Sequence, residues 1–214
     1  HFGLDLLAHW WARPYTERTP FAKVVGAGMG AVDEESYEKI LLPTLYPEPR
    51  MDDDFIRMVK KYKSEGKLIL ELILDGAFWE PREYMGIEAH LYSFYDQPDL
   101  YKRMLSDMKA WQKKAVEYAM NALPFDYVTF AEDMSYNNGP MLSREHFDAF
   151  MAPFYREMVP VLNGYGLPVL VDSDGDISEA IAWFNEVGAV GYHPLEAQAH
   201  CDVCLLYTSP SPRD

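Results

Sequence analysis

The chain has 214 residues, 49% of them hydrophobic and 25% charged, the composition of a globular protein long enough for one sizeable core, which excludes disordered, collagen-like and coiled-coil chains. Its 34 Asp and Glu outnumber 19 Lys and Arg for a net charge of -15, which repels phosphate backbones and anionic headgroups and argues against nucleic acid or a membrane surface as partner. No Lys or Arg occurs between Arg156 and Arg213, so a ligand held there by charge is a cation or a proton.

In chain order, the first feature is Gly26-Ala-Gly28-Met-Gly30-Ala31, which spells G-x-G-x-x-A. A dinucleotide site needs a strand before it and a second strand ending in an acid about 20 residues on. Only Phe21, Val24 and Val25 offer the first, and the turn-rich Tyr46-Pro-Glu-Pro-Arg50 follows instead of the second, so a Gly-rich loop is the reading. Asp52, Asp53 and Asp54 start a helix carrying Phe55, Met58, Val59 and Tyr62.

From here strand and helix alternate. The run Leu68 to Leu74, bounded by Gly66 and Asp75-Gly76, predicts a strand buried on both faces. Pro98 opens a helix whose Leu100, Met104, Met108, Trp111, Ala115 and Ala119 recur at helical spacing up to Leu123. Tyr127 to Ala131 is a second strand. Ser143 caps a helix with a Phe and Met stripe from Phe147 to Leu162, kinked at Pro153. Pro168 to Val171, Ser178 to Val187 and Ala189 to Tyr192 are then a strand, a helix and a strand. Residues 204–214 (CLLYTSPSPRD) break from this pattern and are expected to be a non-native tail. Cys201 and Cys204 lack the second ligand pair of a zinc site and are read as incidental thiols. The scarcity of cysteine suits a reducing, cytoplasmic setting.

Such repeats build a parallel sheet, open or closed as a (β/α)8 barrel. Every strand ends in ionisable groups: Asp75, then Glu132 and Asp133, then Asp172 and Asp174, then His193 and Glu196. Polar residues gathered at successive strand ends are what the mouth of a barrel enzyme presents.

The string Asp75-Gly-Ala-Phe-Trp-Glu-Pro-Arg-Glu-Tyr84-Met-Gly86, then Phe130-Ala-Glu-Asp133 with Asn138-Gly139-Pro140, then Asp172-Ser-Asp174-Gly175 and Gly191-Tyr-His-Pro-Leu-Glu196 together resemble the uroporphyrinogen decarboxylase superfamily. The resemblance spans about Leu68 to Asp202. It implies a (β/α)8 TIM-type barrel, incomplete at both ends, over residues 1–203, with unpaired edge strands and poor solubility. It implies Tyr84, Asp133 and Asp172 as catalytic, Tyr84 positioning the substrate. Asp75, Phe78, Trp79, Arg82, Glu132, His193 and Glu196 are implied as substrate-binding.

Two activities follow from the resemblance. One is cofactor-free decarboxylation of a tetrapyrrole acetate in porphyrin biosynthesis. The other is methyl transfer between a small methylated substrate and a corrinoid protein, with a divalent metal. Where the methyltransferases carry His-x-Cys for zinc, this chain has Asp172-Ser173-Asp174; two carboxylates favour a harder ion, with Glu132 as a third ligand. The implied partners are a small molecule, a second copy of the chain and the corrinoid protein. Six carboxylates against Arg82 would repel an eight-carboxylate porphyrinogen, and a non-catalytic barrel binding a small cation is the remaining reading.

Overall fold

A row of apolar residues at every second position decides which way the sheet faces. The computed structural model describes residues 6–19 and 29–202. In it the strands β1 (Leu6–Ala12), β2 (Leu68–Asp75), β3 (Tyr127–Ala131), β6 (Val169–Asp172) and β7 (Gly191–His193) form one sheet in the order β1-β2-β3-β6-β7, every pairing parallel. Neighbours in sequence are neighbours in the sheet, with no reversal of order. A hairpin of β4 (Ser135–Tyr136) and β5 (Gly139–Pro140) lies between β3 and β6 in sequence.

Because side chains alternate across a strand, Leu68, Leu70, Leu72 and Leu74 share one face with Val128, Phe130, Val169 and Val171. All eight are buried. They join a core built by α2 (Asp53–Ser64), α5 (Pro98–Ala122), α7 (Ala152–Gly164) and α8 (Ser178–Glu186), which contribute Val59, Trp111, Val116, Tyr155, Met158 and Phe184. Burial of each Leu contributes roughly 1.5–3 kcal/mol. The register places Leu7, Ile69, Ile73, Tyr127 and Leu170 on the opposite face. There Leu7 is 60% and Ile69 41% exposed. The expectation that β2 is buried on both faces therefore holds for one face throughout and for Glu71 and Asp75 on the other, where Ile69 is exposed and Ile73 half-buried.

Local chemistry sets the element ends. Asp52 caps α2 by accepting from the N–H groups of Asp54 and Phe55, and Pro98 occupies the first turn of α5. Ser143 caps α6 (Arg144–His146), its side chain accepting from His146 N–H. Between α6 and α7 the helix widens into a π turn, Phe147–Met151, immediately ahead of Pro153; the distortion is a wide turn rather than a simple kink. Two helices that the periodicity did not suggest, α3 (Trp79–Met85) and α4 (Ile87–Asp96), meet at Gly86 with φ +77°. The short helix α1 (Glu34–Ser36) completes the set. No described helix is long and apolar enough to cross a membrane. The tail at 204–214 and residues 21–28 of the Gly-rich segment lie outside the described residues.

Candidate functional site

The C-terminal ends of β2, β3, β6 and β7 carry the polar residues that the sequence singled out, and a dense set of hydrogen bonds fixes where each one points. The turn after β2 is held by four buried side chains, two from α5, one from α7 and one from the end of β3. Gly76 N–H donates to Ala131 O at 2.7 Å, and Ala77 N–H to Tyr155 Oη at 3.3 Å. Tyr101 Oη donates to Ala77 O at 2.9 Å, Phe78 N–H to Glu132 Oε2 at 3.0 Å, and Gln112 Nε2 to Asp75 O at 2.7 Å. A Cβ on Gly76 would lie 1.6 Å from Glu132 Oε2, so glycine is what lets the carboxylate reach the turn.

This turn launches α3, which delivers Trp79 and Arg82 to the mouth. Arg82 lies 4.3 Å above the Trp79 ring. Its guanidinium donates to Asp133 O and to Asp133 Oδ2, both at 2.8 Å. The fork fits two acceptors at once, a geometry that lysine lacks. Asp133 holds a left-handed backbone at φ +40°, a strained conformation for a residue with a side chain. Its N–H donates to Asp172 O at 3.1 Å, and its Oδ1 accepts from Asp174 N–H at 3.2 Å.

The later loops are tied in the same way. Ser173 donates its N–H to His193 O at 3.0 Å and accepts Met134 N–H on Oγ at 3.0 Å. Glu196 Oε2 accepts from Gly175 N–H at 2.8 Å. Gly175, at φ +87°, passes so close to the backbone of Ser135 and Tyr136 that a Cβ would sit 2.9 Å from it. His193 Nδ1 stands 3.6 Å from Asp172 Oδ1.

Two adjoining cavities open here, sharing Trp79, Asp133 and Asp174. One, of about 540 Å³, is also lined by Arg82, Glu83, Ser135, Tyr136 and Glu196. The other, of about 160 Å³, adds Trp11, Ala131 and Asp172. A further concavity of about 370 Å³ at Gly30, Met85 and Tyr92 lies on α4, away from the strand ends; the convergence of polar groups marks the mouth, not that surface, as the candidate site.

Burial perturbs the acids. Desolvation raises Asp172, with Asp174 and Asp133 adding to the effect and His193 opposing it. Asp174 is raised by desolvation and by the charges of Asp133 and Glu196. Beneath the cavities, Asp75 is pushed up to about 7 by burial, against the Trp11 indole N–H that donates to its Oδ1 at 2.7 Å. Glu132 reaches about 7 for the same reason, against donors that include Tyr155.

The structure thus brings together Trp79, Arg82, Asp133, Asp172, Asp174 and Glu196, with His193 beside Asp172. It places the others differently. Phe78, Asp75 and Glu132 are buried beneath the mouth and line neither cavity. Glu132, expected to meet substrate, holds the β2–α3 turn instead. Tyr84, expected to position substrate, is 1% exposed in a separate cluster with Tyr37, Leu41 and Met104, and its hydroxyl donates to Glu80 Oε1 at 2.5 Å. Four residues after Glu80 on the same helix, its ring faces the core. Among the described residues no three His, Cys, Asp or Glu side chains converge as a metal-ligand set. Asp172 turns toward His193 and Glu132 is occupied by the turn, so the expected metal cluster is not formed by them. Trp11 and Ser135 were not singled out from sequence; Trp11 stands 64 residues before the aspartate it binds, on a strand the pattern did not reveal.

No family model matches the sequence, and no curated protein matches it. Among solved structures, a methyltransferase from Methanosarcina mazei is similar, with a TM-score of 0.50 at 13% identity over 81% of this chain and 47% of that one. The likeness is one of fold, an α/β architecture with a parallel sheet. This chain spans about half the length of that methyltransferase.

Proposed function

We propose that the chain is part of a (β/α)8-barrel enzyme that transfers methyl groups, with its reaction centre at the strand-end mouth around Asp133, Asp172 and Asp174. Three features support the barrel. The strands follow one another without reversal, the core helices cover one face, and on the opposite face Leu7 and Ile69, near the starts of β1 and β2, are apolar and exposed. In a doubly wound sheet both faces are covered, whereas in a barrel the second face turns inward.

The observation that carries the activity is the charge of the mouth. Glu83, Asp133, Asp172, Asp174 and Glu196 line the two cavities, and Arg82, their one lining arginine among the described residues, is already paired to Asp133. Such a surface repels a polycarboxylate, which weighs against decarboxylation of a porphyrinogen. The structural likeness to a methyltransferase supports the same choice. In the reaction the carbon–heteroatom bond of the donor breaks and its electron pair stays on the heteroatom. The methyl group bonds to a nucleophilic acceptor, which the superfamily resemblance implies to be a corrinoid protein. Where the donor carries its methyl group on oxygen, we assign to Asp172 the transfer of a proton to the departing atom. Asp133, fixed by Arg82, orients the donor.

The test is an assay of the purified protein with methylated donors and a reduced corrinoid acceptor, run beside uroporphyrinogen. Methyl transfer that falls in Asp172→Asn is the expected result. Conversion of uroporphyrinogen to coproporphyrinogen, with no methyl transfer to the acceptor, would overturn the reading.

A further inference from the structure

Asp75 lines neither cavity, yet it touches the mouth through one side chain. Its carboxyl is 1% exposed at the end of β2. Oδ1 accepts the Trp11 indole N–H at 2.7 Å, and Oδ2 has no hydrogen-bond partner. Trp11 stands opposite Ile73 on β1 and forms part of the wall of the smaller cavity, with Trp79, Asp133 and Asp172. The guanidinium of Arg13 lies over its ring, 3.3 Å from the centroid; Arg13 is exposed and donates to the Tyr15 hydroxyl. A buried acid, a cavity wall and a surface cation are thus stacked in direct contact.

An ionised Asp75 is costly in this position, because Oδ2 would carry charge away from water with no donor to meet it. Burial accordingly pushes its carboxyl up to about 7. Two groups favour the anion, the Trp11 N–H and the Arg13 charge, and both belong to the same stack. Glu83 on α3 opposes it. Glu80 and Tyr84, on the same helix, are raised well above their ordinary values by burial and stay neutral around pH 7, as does Tyr15, pushed up to about 12. From α5, Gln112 donates to the Asp75 carbonyl and brings no charge, and Glu132 at the end of β3 titrates over the same range. A hydrogen bond to a carboxylate is roughly twice as strong as one to a neutral acceptor, so when the proton leaves, the pull on the indole and on the guanidinium over it rises together. We propose that Asp75 and Trp11 form a pH-sensitive latch, in which loss of the Asp75 proton draws the indole, with Arg13 above it, toward the carboxylate and reshapes the wall of the smaller cavity. The latch does not depend on the methyl-transfer reading, and it can be tested without a substrate.

The test is fluorine NMR of the protein labelled with 5-fluorotryptophan, titrated from pH 5 to 9. The Trp11 signal is the one lost in Trp11→Phe. It is expected to shift with a single midpoint of about 7. Asp75→Asn keeps an oxygen to accept from Trp11 but cannot ionise, and should abolish the shift, whereas Glu132→Gln should leave it in place. Arg13→Gln, at an exposed position, removes the cation that favours the anion and should move the midpoint up by about 0.5 pH or more. A Trp11 signal that is flat across the range, a midpoint that survives Asp75→Asn or vanishes in Glu132→Gln, or one that stays put in Arg13→Gln, overturns the latch.

Discussion

Adding one methyl group at Gly76 tests the architecture beneath the mouth. In Gly76→Ala the new Cβ would lie 1.6 Å from Glu132 Oε2, 2.6 Å from Glu132 Cδ and 2.8 Å from Ala131 O. Glu132 has no free volume to retreat into, being fully buried and bonded to Phe78 N–H. Forcing the methyl in costs about 1–3 kcal/mol of overpacking. Displacing the carboxylate strands a buried N–H at about 1–3 kcal/mol more. The expected loss is therefore about 2–6 kcal/mol, a large share of a typical domain stability of about 5–15 kcal/mol. Urea unfolding followed by circular dichroism on the wild type, Gly76→Ala, Glu132→Ala and the double variant measures it. Because Glu132→Ala removes the atoms that the methyl strikes first, the double variant should be more stable than the sum of the singles by at least about 1 kcal/mol. Strict additivity, or a Gly76→Ala protein within about 0.5 kcal/mol of wild type, would refute the turn's role.

Glu132 also makes stability depend on pH. Its carboxyl is raised from 4.5 to about 7 by burial, so the folded state holds a proton that the unfolded chain releases. Its contribution is present below the unfolded value and is lost as pH rises through about 7, on the order of 3 kcal/mol across that window. Asp75 acts in the same direction. Glu132→Gln should flatten the fall in stability between pH 5 and 8 measured by denaturant titration; an unchanged slope would count against a buried neutral acid. Tyr84→Phe removes one donor from buried Glu80 and should cost about 1–2 kcal/mol in thermal unfolding while leaving kcat and KM unchanged, whereas a ten-fold fall in kcat would return Tyr84 to the site. Arg82→Lys keeps the charge but cannot satisfy Asp133 O and Oδ2 together, so turnover should drop at least ten-fold with stability changed by no more than about 1 kcal/mol; wild-type turnover would contradict the positioning of Asp133.

Much of the sheet was legible in the sequence because its strands are short apolar runs cut off by punctuation. Leu68 to Leu74 and Tyr127 to Ala131 read directly, as did the caps at Asp52 and Ser143 and the Pro98 helix start. The strand Leu6–Ala12 was not, since His9, Trp10 and Trp11 give it no clean period and half of it is exposed. The helices after Asp75 were hidden because Pro81 and the left-handed Gly86 interrupt any 3.6-residue pattern. In the site, position at a strand end singled out Asp133, Asp172, Asp174 and Glu196, all of which line the two cavities. It could not separate acids that face the cavity from those one turn below it, because that depends on partners far away: Trp11 for Asp75, and Phe78 and Tyr155 for Glu132. Tyr84 shows the same limit, since its helix turns the phenol toward Glu80 and the core.

If the acidic strand-end mouth carries methyl transfer, Asp172 is needed for it. Transfer of an isotopically labelled methyl group from a small donor that carries it on oxygen to a reduced corrinoid acceptor, compared in wild type and in Asp172→Asn of matched stability, probes this step. Label is expected on the acceptor with wild type, with a loss of at least 100-fold in the variant. Label transfer that is equal in both proteins would contradict it.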